Sequence, residues 1–157
     1  MEATMYKTIL VPLDGSERAE RILPYVEELA RRFGAALFLL QVIEPANLGL
    51  TTRDGSTMYL LGLIEQRTNE ARAYLERLRK ELRDKELEVR TQVAYGPVVG
   101  TILDCAEREQ VDLIAMASHG RTGLSRVFYG SVAAGVLNQA RQPLLLIRAQ
   151  GEEETGE

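Results

Sequence analysis

The chain has 157 residues, 45% of them hydrophobic and 27% charged, the proportions of one soluble globular domain with enough apolar surface for a core. A formal net charge of -4 without any Lys/Arg run argues against nucleic-acid partners, which call for a basic face. A lone cysteine (Cys105) precludes an internal disulfide, no apolar run reaches membrane-span length, and the amino terminus lacks a signal peptide's pattern, so a cytoplasmic protein with no membrane contact is expected.

Lys7–Leu13 (KTILVPL) is apolar at nearly every position, as a strand buried on both faces should be. Asp14-Gly15 is a turn pair, and Ser16 is a good N-cap with Glu17 and Glu20 placed to complement the dipole of the helix that follows. Ala19, Ile22, Leu23, Val26, Leu29, Ala30 and Phe33 recur at helical spacing until Gly34 stops the run. Pro24 falls inside that period and either kinks the helix or restarts it. Ala36–Ile43 (ALFLLQVI) is a second, mostly apolar strand. Glu44–Met58 shows no sustained period and is expected to be a lid or a mobile surface loop.

A long helix is predicted from about Tyr59 to Arg83, with Ile64, Ala71, Leu75, Leu78 and Leu82 inward and the pairs Glu76–Lys80 and Arg77–Glu81 on its wet side. Leu87–Ala94 alternates strictly, so it belongs near a sheet edge with one face exposed. Gly96-Pro97 turns the chain into a helix whose inward residues are Val98, Val99, Ile102, Leu103 and Ala106; Cys105 beside them reads as a packing residue. Leu113–Ala117 is a short buried strand, and a helix then runs to about Ala140 before a last strand, Pro143–Arg148. The domain is expected to span 1–149, followed by an acidic, disordered tail at 150–157.

Five strands alternating with helices imply an α/β fold: a single doubly wound domain, a five-stranded parallel sheet with helices on both faces. The first and fourth strands are the most apolar and belong in the middle, which gives the order 3-2-1-4-5. Its topological switch lies between strands one and four, where sheets of this type bind ligands. The loops there are Pro12–Ser16 and Ala117–Ser131. The second begins Ser118-His119-Gly120-Arg121-Thr122-Gly123, read as a polar turn, and ends in Gly130-Ser131 at a helix start. Small residues running into a helix hold phosphate well, because backbone N–H groups can approach the anion at the positive end of the dipole. Arg121 or Arg126 would supply counter-charge, or be merely solvated. Asp14 is either a ligand contact or only a turn residue. His119, the only histidine, either faces the site or makes a hydrogen bond within the loop.

These motifs together resemble the universal stress proteins. The family's nucleotide-binding members carry Gly, two residues, Gly, nine residues, then Gly and Ser or Thr; here that register reads Ala117-Ser118-His119-Gly120, then Arg121 to Tyr129, then Gly130-Ser131. The ILVPLDGSE start, DLIAMASHGRTG, GSVA and QPLLLIR extend the likeness along nearly the whole chain; Ala117 in place of the first motif glycine departs from it. The resemblance implies ATP (or ADP or AMP) as ligand. Pro12 and Asp14 would lie by the adenosine, Val42 would offer its backbone to the adenine edge, and Met116 and Ala117 would line the ribose side. Gly120, Gly130, Ser131 and Val132 would surround the phosphates, which would hold Mg²⁺.

The leading expectation is an ATP-binding regulatory module of the stress response. It would act as a homodimer through the apolar Pro143–Arg148 strand, with an unidentified protein partner a further prospect. A slow ATPase or nucleotidyl-transfer enzyme on the same fold is the alternative, although no GxxxxGK[ST] loop, GxGxxG or GxSxG motif is present and no general base stands out. Ala117 keeps open a third reading, an interaction module that has lost nucleotide binding.

Overall fold

The computed structural model of the chain describes residues 4–45, 57–119 and 130–149. Among these residues strands and helices alternate as expected, except that two helices follow the first strand: β1 (Thr8–Leu13), α1 (Glu17–Glu20), α2 (Leu23–Phe33), β2 (Ala36–Ile43), α3 (Thr57–Asp84), β3 (Val89–Tyr95), α4 (Val98–Arg108), β4 (Leu113–His119), α5 (Ser131–Gln139) and β5 (Leu144–Ala149). The strands form one all-parallel sheet in the order β3-β2-β1-β4-β5. Of the expected lid or loop at Glu44–Met58, Thr57 and Met58 are instead the first turn of α3, because the helix begins two residues before its apolar period becomes evident; 46–56, the greater part of the glycine loop with Arg126, and the tail lie outside the described residues.

Alternation along the central strands divides the core. Ile9, Val11, Leu37 and Leu39 face Val26 of α2 and Leu75, Leu78 and Leu82 of α3 on one side of the sheet. Leu10, Phe38, Leu40, Ile114 and Met116 face Ile102 and Ala106 of α4 and Ala133 and Val136 of α5 on the other. Cys105 is buried in that second layer as a packing residue, and burial pushes its thiol above its ordinary pKa. Each fully buried Leu or Ile contributes roughly 1.5–3 kcal/mol, so it is these two layers that hold the carboxyl ends of the strands in register.

Pro24 restarts the helix: α1 ends at Glu20, and α2 begins with proline in its first turn, where the missing N–H costs nothing. Gly34 ends α2 in the left-handed conformation at φ 65°. The sheet edge at β3 differs from the alternation reading. Arg90 is exposed, but Thr91–Ala94 are half-buried because α3 and α4 flank the two faces. The wet face of α3 also does more than expected. Arg77 reaches Glu81 at 3.1 Å and, across to α1, Glu20 at 3.5 Å, while Glu76 pairs with Arg79 at 3.0 Å. Among the described residues, no helix is long and apolar enough to cross a membrane.

Candidate functional site

The carboxyl end of β1 turns sharply. Gly15 has φ 85°, a conformation that glycine adopts without a Cβ penalty. The Asp14 carboxylate accepts from the Ser16 N–H at 2.9 Å and the Ser16 hydroxyl at 2.5 Å, and the Ser16 oxygen in turn accepts from the Ala19 N–H at 3.1 Å. Ser16 is thus the N-cap of α1, as its sequence position predicted. Asp14 makes the turn, and it also stands exposed in the lining of the cleft at the switch point.

The opposing wall comes from β4 and α5. Ser118 and His119 are strand residues, not the start of a turn: β4 pairs with β5 as far as His119↔Ala149, and Ser118 is buried. The ladder partner, not local polarity, decides where this strand ends. Gly130 is the N-cap of α5 and has no side chain to cap the helix; the first ladder bond described there runs from Ala134 N–H to Gly130 C=O at 3.0 Å. The N–H groups of Ser131, Val132 and Ala133 therefore have no place in that ladder and are donors for whatever sits in front of the helix.

Between these walls is a cleft of about 230 Å³. It brings together Pro12, Asp14, Val42, Met116, Ala117, Gly130, Ser131 and Val132 from three strand ends and a helix start. Leu40, Val98 and Ile102 add an apolar floor, and Val42 sits one residue beyond the last β1–β2 pair, Leu13↔Gln41. Asp14 is the one charged residue in the described lining. His119 is placed by its backbone at the end of β4; its side chain, Gly120 and Arg121 lie outside the described residues.

A second chamber of about 470 Å³ adjoins the first and shares Asp14, Val42 and Val98 with it. Its further walls, Gln41 from β2 and Arg67, Glu70 and Tyr74 from α3, were not anticipated from sequence. A single glutamine inside ALFLLQVI was the available signal: a lone polar side chain in a buried strand needs a reason. Burial, reinforced by the charge of Glu20 and a hydrogen bond to its carboxylate and then by the charge of Asp14, pushes the Tyr74 hydroxyl far above its ordinary pKa, so it stays protonated. Arg77 lies over the Tyr74 ring, 5.5 Å from its centre. Among the described residues, no group of three or more His, Cys, Asp or Glu could hold a metal ion.

The model of the universal stress protein family matches residues 5–148. The universal stress protein MJ0577 of Methanocaldococcus jannaschii is 31% identical over 157 residues, covering 93% of this chain and 97% of the relative. The solved structure of MJ0577 superposes with a TM-score of 0.81 at 32% identity, over 94% of this chain and 99% of that one. Universal stress protein UspA from Lactobacillus plantarum follows at 0.78 and 25% identity, over 94% of this chain and all (100%) of that one. Two more distant solved members share the fold. One, in complex with cAMP, has a TM-score of 0.65 at 18% identity, over 92% of this chain and 98% of that one. The other, from Archaeoglobus fulgidus and in complex with dAMP, has a TM-score of 0.64 at 21% identity, over 91% and 98%.

Proposed function

The chain belongs to the universal stress protein family, and on that premise we propose that it is an ATP-binding regulatory module of the stress response that works as a homodimer. The observation that carries this reading is the cleft at the β1/β4 switch point, where an apolar slot meets the open N–H donors of a helix start. An adenine nucleotide has those two ends. Its base enters between Val42, Val98 and Ile102, with the Val42 backbone toward the base edge. Asp14 and Met116–Ala117 flank the ribose, beside Pro12. Gly130, Ser131 and Val132 donate to the phosphates, joined by His119, Gly120 and Arg121 at that end. The cAMP and dAMP complexes of distant members support an adenine nucleotide as the class of ligand.

Mg²⁺ fits this arrangement only as a companion of the nucleotide. Asp14 and the Ser131 hydroxyl are too few oxygen ligands for a cage made by the protein, so the phosphates would hold the ion with water completing its shell. The ion would offset phosphate charge, while the residues of this chain bind and orient.

Dimerisation is proposed at β5, an edge strand whose Leu144–Ile147 are only half-buried in the single chain. An open apolar edge invites a second copy. Light scattering should give twice the monomer mass at micromolar concentration, and Leu145→Lys should give the monomer.

The nucleotide reading is tested by denaturing freshly purified protein and identifying released small molecules by mass spectrometry, followed by calorimetric titration of Mg-ATP into ligand-free protein. Near-stoichiometric adenine nucleotide, or saturable heat from ATP, is expected. Neither released nucleotide nor heat would leave the cleft without its proposed ligand.

A further inference from the structure

On one side the sheet ends at β3, and among the described residues no strand lies beyond it. Leu37 N–H donates to Glu88 C=O, and Gly96 N–H donates to Ile43 C=O. In a parallel ladder this fixes the alternation: Arg90, Gln92 and Ala94 turn their backbone groups to β2, while Thr91 and Val93 turn theirs outward. An open edge is ordinarily blunted by a proline, a bulge, a very short strand or a charge. Over Thr91–Tyr95 there is none of these. The register with β2 runs unbroken from Leu37↔Val89 to Ile43↔Tyr95, and no proline or charge follows Arg90 in the strand. Arg90 itself is held on the α4 face, 5.0 Å from the centre of the Phe38 ring and 3.5 Å from Glu109.

Beside these outward groups runs a groove of about 410 Å³, walled by Thr91, Gln92 and Val93 of β3 and by Arg72, Leu75 and Glu76 of α3. Its floor is apolar, since Leu75 is buried and Val93 packs into the same layer. Its rim carries a cation without an acid. Glu76 stands one helical turn from Arg72, where the two could pair, yet it bonds Arg79 at 3.0 Å instead. Arg72 is exposed and has no ion pair or hydrogen bond among the described residues. The edges of this chain do not supply the missing carboxylate. β5 carries Arg148 and no acid, and a second β3 paired about Gln92 would bring another Arg72 toward the first.

We propose that the β3 edge is a docking site for an extended acidic segment of another protein, which joins the sheet as a further edge strand. Thr91 and Val93 exchange backbone hydrogen bonds with that segment, and these supply affinity whatever its sequence. Its side chains alternate between faces, so those on the α3 side enter the groove two residues apart. One is apolar and lies on Leu75 and Val93; the next is Asp or Glu and meets Arg72. The site is separate from the nucleotide cleft, whose lining shares none of the groove residues, and the inference does not depend on the nucleotide reading.

The test uses the full chain and a terminally blocked peptide, Thr-Thr-Val-Thr-Glu-Thr-Thr, with a second peptide in which lysine replaces the glutamate. Amide hydrogen exchange is followed by NMR at millimolar peptide. With the glutamate peptide, the Thr91 and Val93 amides should exchange roughly tenfold more slowly. The lysine peptide should bind roughly two- to fivefold more weakly, and Arg72→Glu should reverse that preference. Thr91→Pro removes an outward N–H and leaves the ladder to β2 intact, so it should abolish the protection of Val93. Thermal unfolding shows whether each variant keeps its fold; if the proline variant does not, the charge reversal decides alone. No slowing at Thr91 and Val93, slowing confined to other residues, or equal binding of the two peptides overturns the inference. Protection that grows with protein concentration in the absence of peptide also overturns it, in favour of pairing between copies.

Discussion

The two ends of the sheet are finished differently. At the amino ends of the strands, backbone groups are matched across elements. Both Lys7 N–H and Thr8 N–H donate to one oxygen of Asp112, at 2.8 and 2.9 Å, and Asp112 N–H donates to Thr8 C=O at 3.0 Å. Ala36 N–H reaches Lys7 C=O and Leu37 N–H reaches Glu88 C=O, each at 2.8 Å. At the carboxyl ends, α5 instead starts at Gly130, which has no side chain to cap it, and its first N–H groups lie outside its ladder. Backbone groups are closed at the end where the fold needs only stability, and helix donors are left open at the end where the proposed nucleotide would sit. Breaking the amino end should therefore cost stability, and breaking the carboxyl end should cost binding.

The largest effect is expected from Asp112→Ala. It takes one charged acceptor from two backbone N–H groups that begin β1, and charge-assisted bonds of this kind are worth about 1.5–3 kcal/mol each, less where exposed. Urea unfolding should show a loss of about 2–3 kcal/mol. ATP affinity of the folded variant should match wild type. A loss of binding without loss of stability would reverse the proposed division between the ends.

That division was only half legible in the sequence. Strand order followed from where the apolar runs lie: TILVPL and LIAMA are continuous, so they sit in the middle. The position of the cleft followed from that order. Pro24 and Gly34 punctuate locally and were read locally. Asp112 was not singled out, because its partners are Lys7 and Thr8, more than 100 positions away (105 and 104). Ser118 and His119 were read as a turn because their polarity is local, whereas their strand character comes from pairing with Arg148 and Ala149. Tyr74 lay hidden on a helix between Ala71 and Leu75, where an aromatic looks like ordinary core. Only the approach of α1, which brings Glu20 to its hydroxyl, gives it a polar role.

Gly130→Val is the next largest effect and acts at the other end. A branched side chain at the N-cap of α5 would occupy the approach to the donors of that helix. ATP affinity should fall at least tenfold, or ~1.4 kcal/mol, while adenosine affinity falls less. Ser131→Ala removes a single hydroxyl and should cost about 1 kcal/mol in ATP binding. Equal ATP affinity in all three folded proteins, by calorimetry, would make the glycine an ordinary cap.

Ser16→Ala sharpens the contrast, since Ser16 serves both ends of the argument. Its hydroxyl caps α1 and donates to Asp14. Loss of the cap should lower stability by about 1 kcal/mol in urea. Asp14 would keep only the Ser16 N–H, so its carboxylate becomes freer to turn, and adenosine binding should weaken by less than the cap costs. A variant that loses affinity but no stability would assign Ser16 wholly to the ligand.

The smallest effect is a difference in alkaline stability, and it asks whether the carboxyl end is as closed to water as the burial of the Tyr74 hydroxyl implies. Tyr74 is raised from an ordinary value of 10.0, chiefly by burial and then by Glu20. Cys105 is raised from 9.0, again chiefly by burial. In both cases the folded protein holds the proton more tightly than the unfolded chain. Below the ordinary value both states are protonated and nothing is lost. As pH climbs past it, the unfolded chain ionises first, and stability falls until the folded group ionises too. The decline from Cys105 should therefore begin near pH 9, and that from Tyr74 near pH 10. Tyr74→Phe should match wild type at pH 8 and lose less stability between pH 10 and 11, because the unfolded chain no longer gains by ionising there. Cys105→Ala should instead flatten the earlier part of the curve and lower stability at every pH through the small void it leaves in the α4 layer. Each comparison changes one side chain, so the differences isolate each group. A Tyr74→Phe curve parallel to wild type through pH 11 would mean that water already reaches the hydroxyl.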